Sequence, residues 1–271
     1  MTEPISTDLA GTVQAREWYH TIDLAPGITT PGWFDLRDVA GRLPWPPVHG
    51  ARCLDVGTFD GFWAFEMERL GASEVVAIDI LDPRQWDWPA NARQAVMDEL
   101  GRRKGQGEGF EVARAALGSS VKRLEMNVYD LDPEAVGLFD VVYLGSILLH
   151  LRDPVQALDR VRSVCRGYVL SVDTFDVPLS VLHPRRPVAS LDGIGRPWWW
   201  RANLAGIRRM IEASGMTVMA RRRTLMPPGA GQPKLPIRVS MLRHAAGRNA
   251  LMCSRVGDPH VATLARVSPP S

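Results

Sequence analysis

Asp55, Gly57, Gly61 and Asp79 form the strongest chemical pattern in the chain. Gly57 and Gly61 bracket the turn Gly57-Thr58-Phe59-Asp60-Gly61, which lies between an apolar run ending at Val56 and a stretch with helical spacing. Glycine permits positive φ and lets a ligand approach the backbone, while a helix N-terminus offers unpaired N–H groups and partial positive charge. A second apolar run, Val75 to Ile78, ends in Asp79. An acid at that tip is where doubly wound α/β folds hold a ribose. Further on, His150 stands in a loop after a fourth apolar run, with Asp173 and Asp176 after a fifth. Histidine titrates near neutral pH and can take the proton of an alcohol that is too weak an acid to ionise alone.

Two ligand classes do not suit the turn. A dinucleotide fingerprint needs glycine where Phe59 stands, and Asp60 is expected to face the ligand, where a carboxylate would repel a pyrophosphate. The Gly-Lys-Ser/Thr of a phosphate-binding loop is absent. Asp55 suits a ligand with a positive group. S-adenosylmethionine (SAM) carries a ribose, an amine and a sulfonium but no phosphate, and it fits. Its expected contacts are Asp55, Gly57, Thr58, Phe59, Gly61, Asp79 and Ile80, with Gly145 and Ser146 at the end of the fourth strand. His150 reads as general base, pocket wall or packing residue.

These residues need a parallel sheet to bring them together. Strands are predicted at 53–56, 75–79, 121–128, 139–144 and 168–172, the fourth a near-continuous apolar run suited to a buried central strand. Helices are predicted from Gly61 to a Gly71 cap, over 110–117 with Gly118 as stop, after the Asp153-Pro154 start, and over 203–214 before Gly215. Residues 91–108, rich in charge and glycine, read as a helix fragment and a mobile peripheral loop. A hairpin about Pro26-Gly27 is expected before the core. Its His20, Thr30 and Trp33 either cap the core or form a lid over the pocket. Trp86 either walls an adenine or covers the core edge.

The glycine turn with Asp79 resembles the class I SAM-dependent methyltransferases, whose usual pattern is acid-x-Gly-x-Gly-x-Gly; Phe59 departs from it. The resemblance implies a Rossmann-like α/β fold: a doubly wound, mostly parallel, seven-stranded sheet. Its closing antiparallel pair is read at 217–222 and 237–242. It also implies an acid at the third strand's tip that receives the adenine amino group, here Asp130, with Tyr129 beside it. Leu148-Leu149-His150-Leu151-Arg152-Asp153-Pro154, Thr30-Pro31-Gly32 and Trp199-Trp200-x-x-Asn203 are similar to the branch containing the tRNA wobble-uridine 5-oxyacetic acid methyltransferases, over roughly residues 16–220. That branch uses a carboxylated SAM and a longer N-terminal domain, largely missing before the first core strand here. The sequence is nearer to actinobacterial small-molecule members, including sugar O-methyltransferases of methylmannose polysaccharide synthesis.

The expected organisation is an N-terminal cap or lid at 1–48, a methyltransferase domain at 49–244 with an acceptor-side insertion at about 174–202, and a tail at 245–271. The leading reading is an O-methyltransferase that acts on a hydroxyl of a small acceptor, a mannoside or oligosaccharide, with His150 as base and S-adenosylhomocysteine (SAH) as product. His20, Trp33, Asp173, Asp176, Trp199, Trp200 and Asn203 are the expected acceptor contacts. A Mg²⁺ bridging His150, Asp173 or Asp176 is the metal-assisted variant. The alternatives are a tRNA-modifying enzyme whose Arg185, Arg186 and Arg221 to Arg223 meet phosphate, and a non-catalytic SAM-binding protein. Over 271 residues the formal net charge is +2, with 45% hydrophobic and 23% charged residues, which favours a small-molecule partner over nucleic acid. Three scattered cysteines and no long apolar run lead to an expected cytoplasmic protein without disulfides, metal cluster or membrane span. Oligomer formation stays open.

Overall fold

The computed structural model describes residues 5–91, 94–192, 197–237, 243 and 245–267. Seven strands make the central sheet: β1 (Arg52–Val56), β2 (Glu74–Asp79), β3 (Lys122–Glu125), β4 (Phe139–Gly145), β5 (Cys165–Thr174), β6 (Met216–Met226) and β7 (Asp258–Val267). Their order is β6-β7-β5-β4-β1-β2-β3. The first five strands pair in parallel, and β7 runs antiparallel to both β5 and β6. The chain reverses its direction of travel across the sheet between β1 and β4, and a ligand crevice opens there at the strands' carboxyl ends.

The inner strands β1, β2, β4 and β5 are largely apolar on both faces because both are covered, whereas β3 and β6 are mostly exposed. Cys53, Ala77, Val141 and Tyr143 face α1 (Phe62–Arg69), α3 (Glu108–Leu117) and the N-terminal segment. Leu54, Val76, Val142 and Leu144 face α4 (Pro154–Ser163) and α5 (Leu204–Ala213). Leu158 of α4 is fully buried, so truncation to alanine should cost about 2–5 kcal/mol. The predicted caps form: Asp153 accepts the Gln156 amide at 2.9 Å and Asn203 the Gly206 amide at 2.7 Å. Gly61, at φ 95°, starts α1; a Cβ there would sit 2.4 Å from the Phe65 ring.

The N-terminal segment belongs to the core. Trp18–His20 pairs in parallel with Gly32–Phe34 around the hairpin Asp23–Ala25/Ile28–Thr29, and Trp18 is buried. Two expectations are corrected. Residues 94–104 form a helix, α2 (Gln94–Lys104), whose residues line the main cavity, so this stretch is no peripheral loop. The closing strand is β7, from the stretch read as a tail. Ile237 is not in a strand, and the rest of the expected strand (238–242) lies outside the described residues.

Candidate functional site

A cavity of about 480 Å³ runs along the carboxyl edge of β1, β2 and β4, roofed by α2 and the N-terminal segment. Its first end is the glycine turn. Gly57 has φ 77°, and a Cβ would meet the Ile147 side chain at 3.0 Å, so only glycine keeps this floor open. Phe59 takes the glycine-like φ of 53° in the missing glycine's place, at a cost of about 1–2 kcal/mol, and its ring lies 4.6 Å from that of Tyr19. Asp79, at the tip of β2, accepts the Phe59 amide at 2.6 Å and the Ile80 amide at 2.8 Å, and pairs with Lys104 of α2.

The nucleoside side continues through Ile80, Trp86, Trp88, Asn127, Val128 and Tyr129. Trp86 and Trp88 stack at 5.7 Å on the cavity wall. Asp87 ties this loop to the next: it accepts the Tyr129 hydroxyl at 3.1 Å and the Arg152 amide at 2.5 Å, while its carbonyl accepts the Trp199 indole N–H.

The far end is polar and carries two histidines. His150 Nδ1 lies 2.6 Å from the Pro197 carbonyl, which can only accept, so Nδ1 bears the hydrogen and Nε2 keeps its lone pair. Burial pushes the His150 pKa below its usual value, which favours this neutral form. His260 of β7 is held the same way: Nδ1 donates to the Asp258 carbonyl at 2.9 Å, and Nε2 accepts from Ser146 Oγ at 3.1 Å. Tyr143 also lines this end, and its buried hydroxyl has no partner among the described residues.

Of the residues expected at the site, Gly57, Phe59, Asp79, Ile80, Tyr129, Gly145, Ser146, His20, Trp33 and His150 line this one cavity. Others do not. Asp55 lies buried beneath the turn, one carboxylate oxygen without a partner among the described residues. Burial pushes its pKa up to about 7, with Asp79 adding and His20 opposing. Thr58 is buried and Gly61 precedes the first turn of α1; neither lines the cavity. Asp130 is exposed, and Asn127 takes the wall position instead, because β3 stops at Glu125 and a 3₁₀ turn follows.

On the acceptor side, Asp173 accepts the Leu148 amide at 3.0 Å and the Ser171 hydroxyl at 2.8 Å, borders a separate small recess with Trp200, and has its pKa raised by burial. Asp176 caps the helix Val177–Leu182 and pairs with Arg201 at 2.8 Å. Trp199 carries the Arg152 guanidinium 4.7 Å over its ring, and Trp198 rather than Trp199 lines the cavity. Asn203 is fully buried and binds the carbonyls of His183 and Arg186 and the amide of Val188. These are structural posts. For the metal-assisted variant, Asp173 and Asp176 are engaged as described, and among the described residues no three His, Cys, Asp or Glu side chains cluster to hold a metal.

Asp60 is a further correction: it turns away from the ligand side. Its Oδ2 accepts the Tyr19 amide at 2.8 Å and the His20 amide at 2.9 Å, and Oδ1 pairs with the His20 ring. His260, Asp258 and Lys104 were not foreseen. For Lys104, a lone lysine in a glycine-rich stretch gave no signal. For His260, the apolar Val261 to Val267 run was the available one.

The arrangement fits SAM on its own chemistry. Four acids stand on the wall, Asp79, Asp87, Glu99 and Asp258; Asp79 pairs with Lys104 and Asp87 with Arg152 at 3.6 Å. Arg103, also on the wall, is neutralised by Glu17 at 3.2 Å and Glu99 at 2.5 Å, so its charge is not left to meet a phosphate. Such a wall suits a ribose and a cationic sulfur better than phosphates. No helix among the described residues is long and apolar enough to cross a membrane.

Residues 33–224 match the family model described as a methyltransferase domain. Comparison with curated proteins yields no match. Solved structures share the fold at low identity. The N-terminal domain of EvdMO1, crystallised with SAH and D-fucose, is 16% identical, with 97% of each chain covered and a TM-score of 0.53. A Haloferax volcanii protein in complex with the Trm112 methyltransferase activator is 13% identical, with 98% and 97% covered and a TM-score of 0.51. A SAM-dependent methyltransferase from Mesorhizobium loti is 15% identical, with 85% and 97% covered and a TM-score of 0.47. The matched segment takes in the glycine turn, Asp79 and the whole sheet through most of β6; the chain belongs to the methyltransferase-domain family and is a SAM-dependent methyltransferase.

Proposed function

We propose that the protein transfers a methyl group from SAM to a hydroxyl of a small acceptor, a mannoside or oligosaccharide, with His150 as general base. The carrying observation is the His150 ring: Nδ1 is fixed by the Pro197 carbonyl at 2.6 Å and Nε2 is left as a proton acceptor on the cavity wall after β4. When bound, SAM supplies a methyl group already activated on a sulfonium. The chain's part is to align the acceptor, exclude water and take its proton. The aromatic walls, Tyr19, Phe34, Trp63 and Trp198 among them, suit a sugar's apolar face. The EvdMO1 domain, of the same fold, was crystallised in the presence of D-fucose. By the same geometry Gly57 and Phe59 would hold the methionine end, Asp79 and Ile80 the ribose, and Trp86 and Tyr129 the adenine.

The test is methyl transfer from labelled SAM to a panel of sugars, phenols and tRNA. Sugar or oligosaccharide methylation is expected. His150→Ala should lower turnover by about 100-fold or more while changing SAH affinity little. Protonated His150 has no lone pair, so kcat/KM should rise with pH through its depressed pKa and be level above about 6.5. Transfer to tRNA alone, with binding that falls steeply with salt, would overturn the acceptor assignment. Unchanged turnover in His150→Ala would remove the base.

A further inference from the structure

We propose that Lys104 is a positioning residue for the ribose-binding acid, and that through it helix α2 is a lid set by the cofactor's nucleoside. This rests on the cofactor reading of Asp79. A carboxylate offers about four acceptor directions. Asp79 Oδ1 takes the Ile80 amide, and Oδ2 takes both the Phe59 amide and the Lys104 ammonium. Oδ2 is therefore saturated, and with Lys104 in place a ribose hydroxyl is directed to the free acceptor direction of Oδ1.

The lysine is no surface bystander. Its side chain is fully buried, with Nζ 4.6 Å above the Phe59 ring, and burying an ammonium is tolerated only with a partner such as Asp79. It ends the helix whose Val96, Glu99, Leu100 and Arg103 line the cavity. The neighbouring Arg103 lies 3.7 Å over the Trp33 ring and pairs with Glu17, so the last turn of α2 joins the ribose acid to the N-terminal roof. A hydroxyl on Oδ1 fixes the same carboxylate that tethers α2, so bound nucleoside favours the closed α2, and by reciprocity the closed α2 raises nucleoside affinity.

The experiment measures SAH binding by calorimetry and amide hydrogen exchange with and without SAH, on the full chain. In the wild-type protein, SAH should slow exchange across 94–104 by about tenfold or more. Lys104→Met should weaken SAH by about tenfold and abolish most of that protection. On the Asp79→Asn background the same change should alter affinity by no more than about twofold, because the two residues act as one unit. Exchange in 94–104 that ignores bound SAH overturns the inference. So does a Lys104→Met protein that melts earlier yet binds SAH as before, or additive effects in the cycle. Should Lys104→Met not fold, the wild-type exchange still decides on the lid. Arg103→Ala, which leaves the Asp79 pair in place, then tests the tether: it should lose SAH protection over 17–34 and keep it over 94–104, and retained protection at 17–34 counts against it. Absence of SAH binding to the wild-type protein overturns the cofactor reading itself, and this inference with it.

Discussion

Asp55 is buried under the glycine turn with a carboxylate oxygen that finds no partner among the described residues, and burial pushes its pKa from 3.8 up to about 7. Between those values the folded protein binds more protons at this site than the unfolded chain. Its contribution to stability therefore falls as pH rises from about 4 to about 7, and the penalty is complete above that. Asp55→Asn keeps the shape without the charge. Urea unfolding of the ligand-free protein should show the variant level with wild type near pH 4 and more stable near pH 8, by up to a few kcal/mol. Parallel pH profiles for the two proteins would refute this. At this scale the sequence was a partial guide. Gly57, Asp79 and His150 were legible because chemistry and spacing coincide within one strand-turn-helix or one loop. Asp60 was misread because what turns it from the ligand, the Tyr19 and His20 amides, lies some forty residues away in the chain. Asp130 was assigned by analogy to a strand tip that lies elsewhere.

At the scale of elements, what the sequence showed well were segments with their own start and stop signals: α1 with Gly71, α3 with Gly118, α4 with Asp153-Pro154 and α5 with Asn203. Helix α2 was obscured because Gly101 lowers its intrinsic propensity and a glycine-rich stretch follows it directly, while tertiary contacts of Arg103 and Lys104 outweigh that loss. The N-terminal segment shows the same dependence. Its aromatic residues left a core cap and a pocket lid as alternatives, and the polar anchor that fixes the segment is Asp60, which receives two backbone amides and the His20 ring. Asp60→Ala leaves those groups buried without their acceptor, at a cost of several kcal/mol. The expected outcome is cap loosening ahead of the sheet: chymotrypsin should cut near Trp18, Tyr19, Trp33 or Phe34 about tenfold faster or more, before the sheet domain is degraded. Cleavage at the wild-type rate would show that the cap is held by its apolar contacts alone.

For the whole molecule, the succession of strands through β5 could be read from the sequence, with β1, β2, β4 and β5 each marked by a separate buried apolar run, while β3 is short and largely exposed. The closing strand could not. β7 is covered on both faces, so Val261, Ala262 and Thr263 are buried in succession and no polar-apolar alternation marks them, while small residues dilute the apolar signal. The consequence is that the stretch expected to be a tail is an interior strand: β7 pairs along its length with β6 on one side and β5 on the other. It also brings His260 to Ser146 and Asp258 to the cavity wall. A chain ended after residue 244 would leave two strands without their shared partner and open the core at Val261, Ala262 and Ala265. The loss of those apolar contacts and both ladders exceeds the roughly 5–15 kcal/mol by which a domain is stable. Such a chain is expected to show no cooperative thermal transition and no SAH binding. His260→Ala in the full chain should instead fold, keep SAH affinity within about twofold and alter only acceptor turnover, since its ring contacts Ser146 and lies at the far end of the cavity from Asp79. If the shortened chain melts cooperatively and binds SAH, the sheet closes without β7 and the site is complete within the first 244 residues.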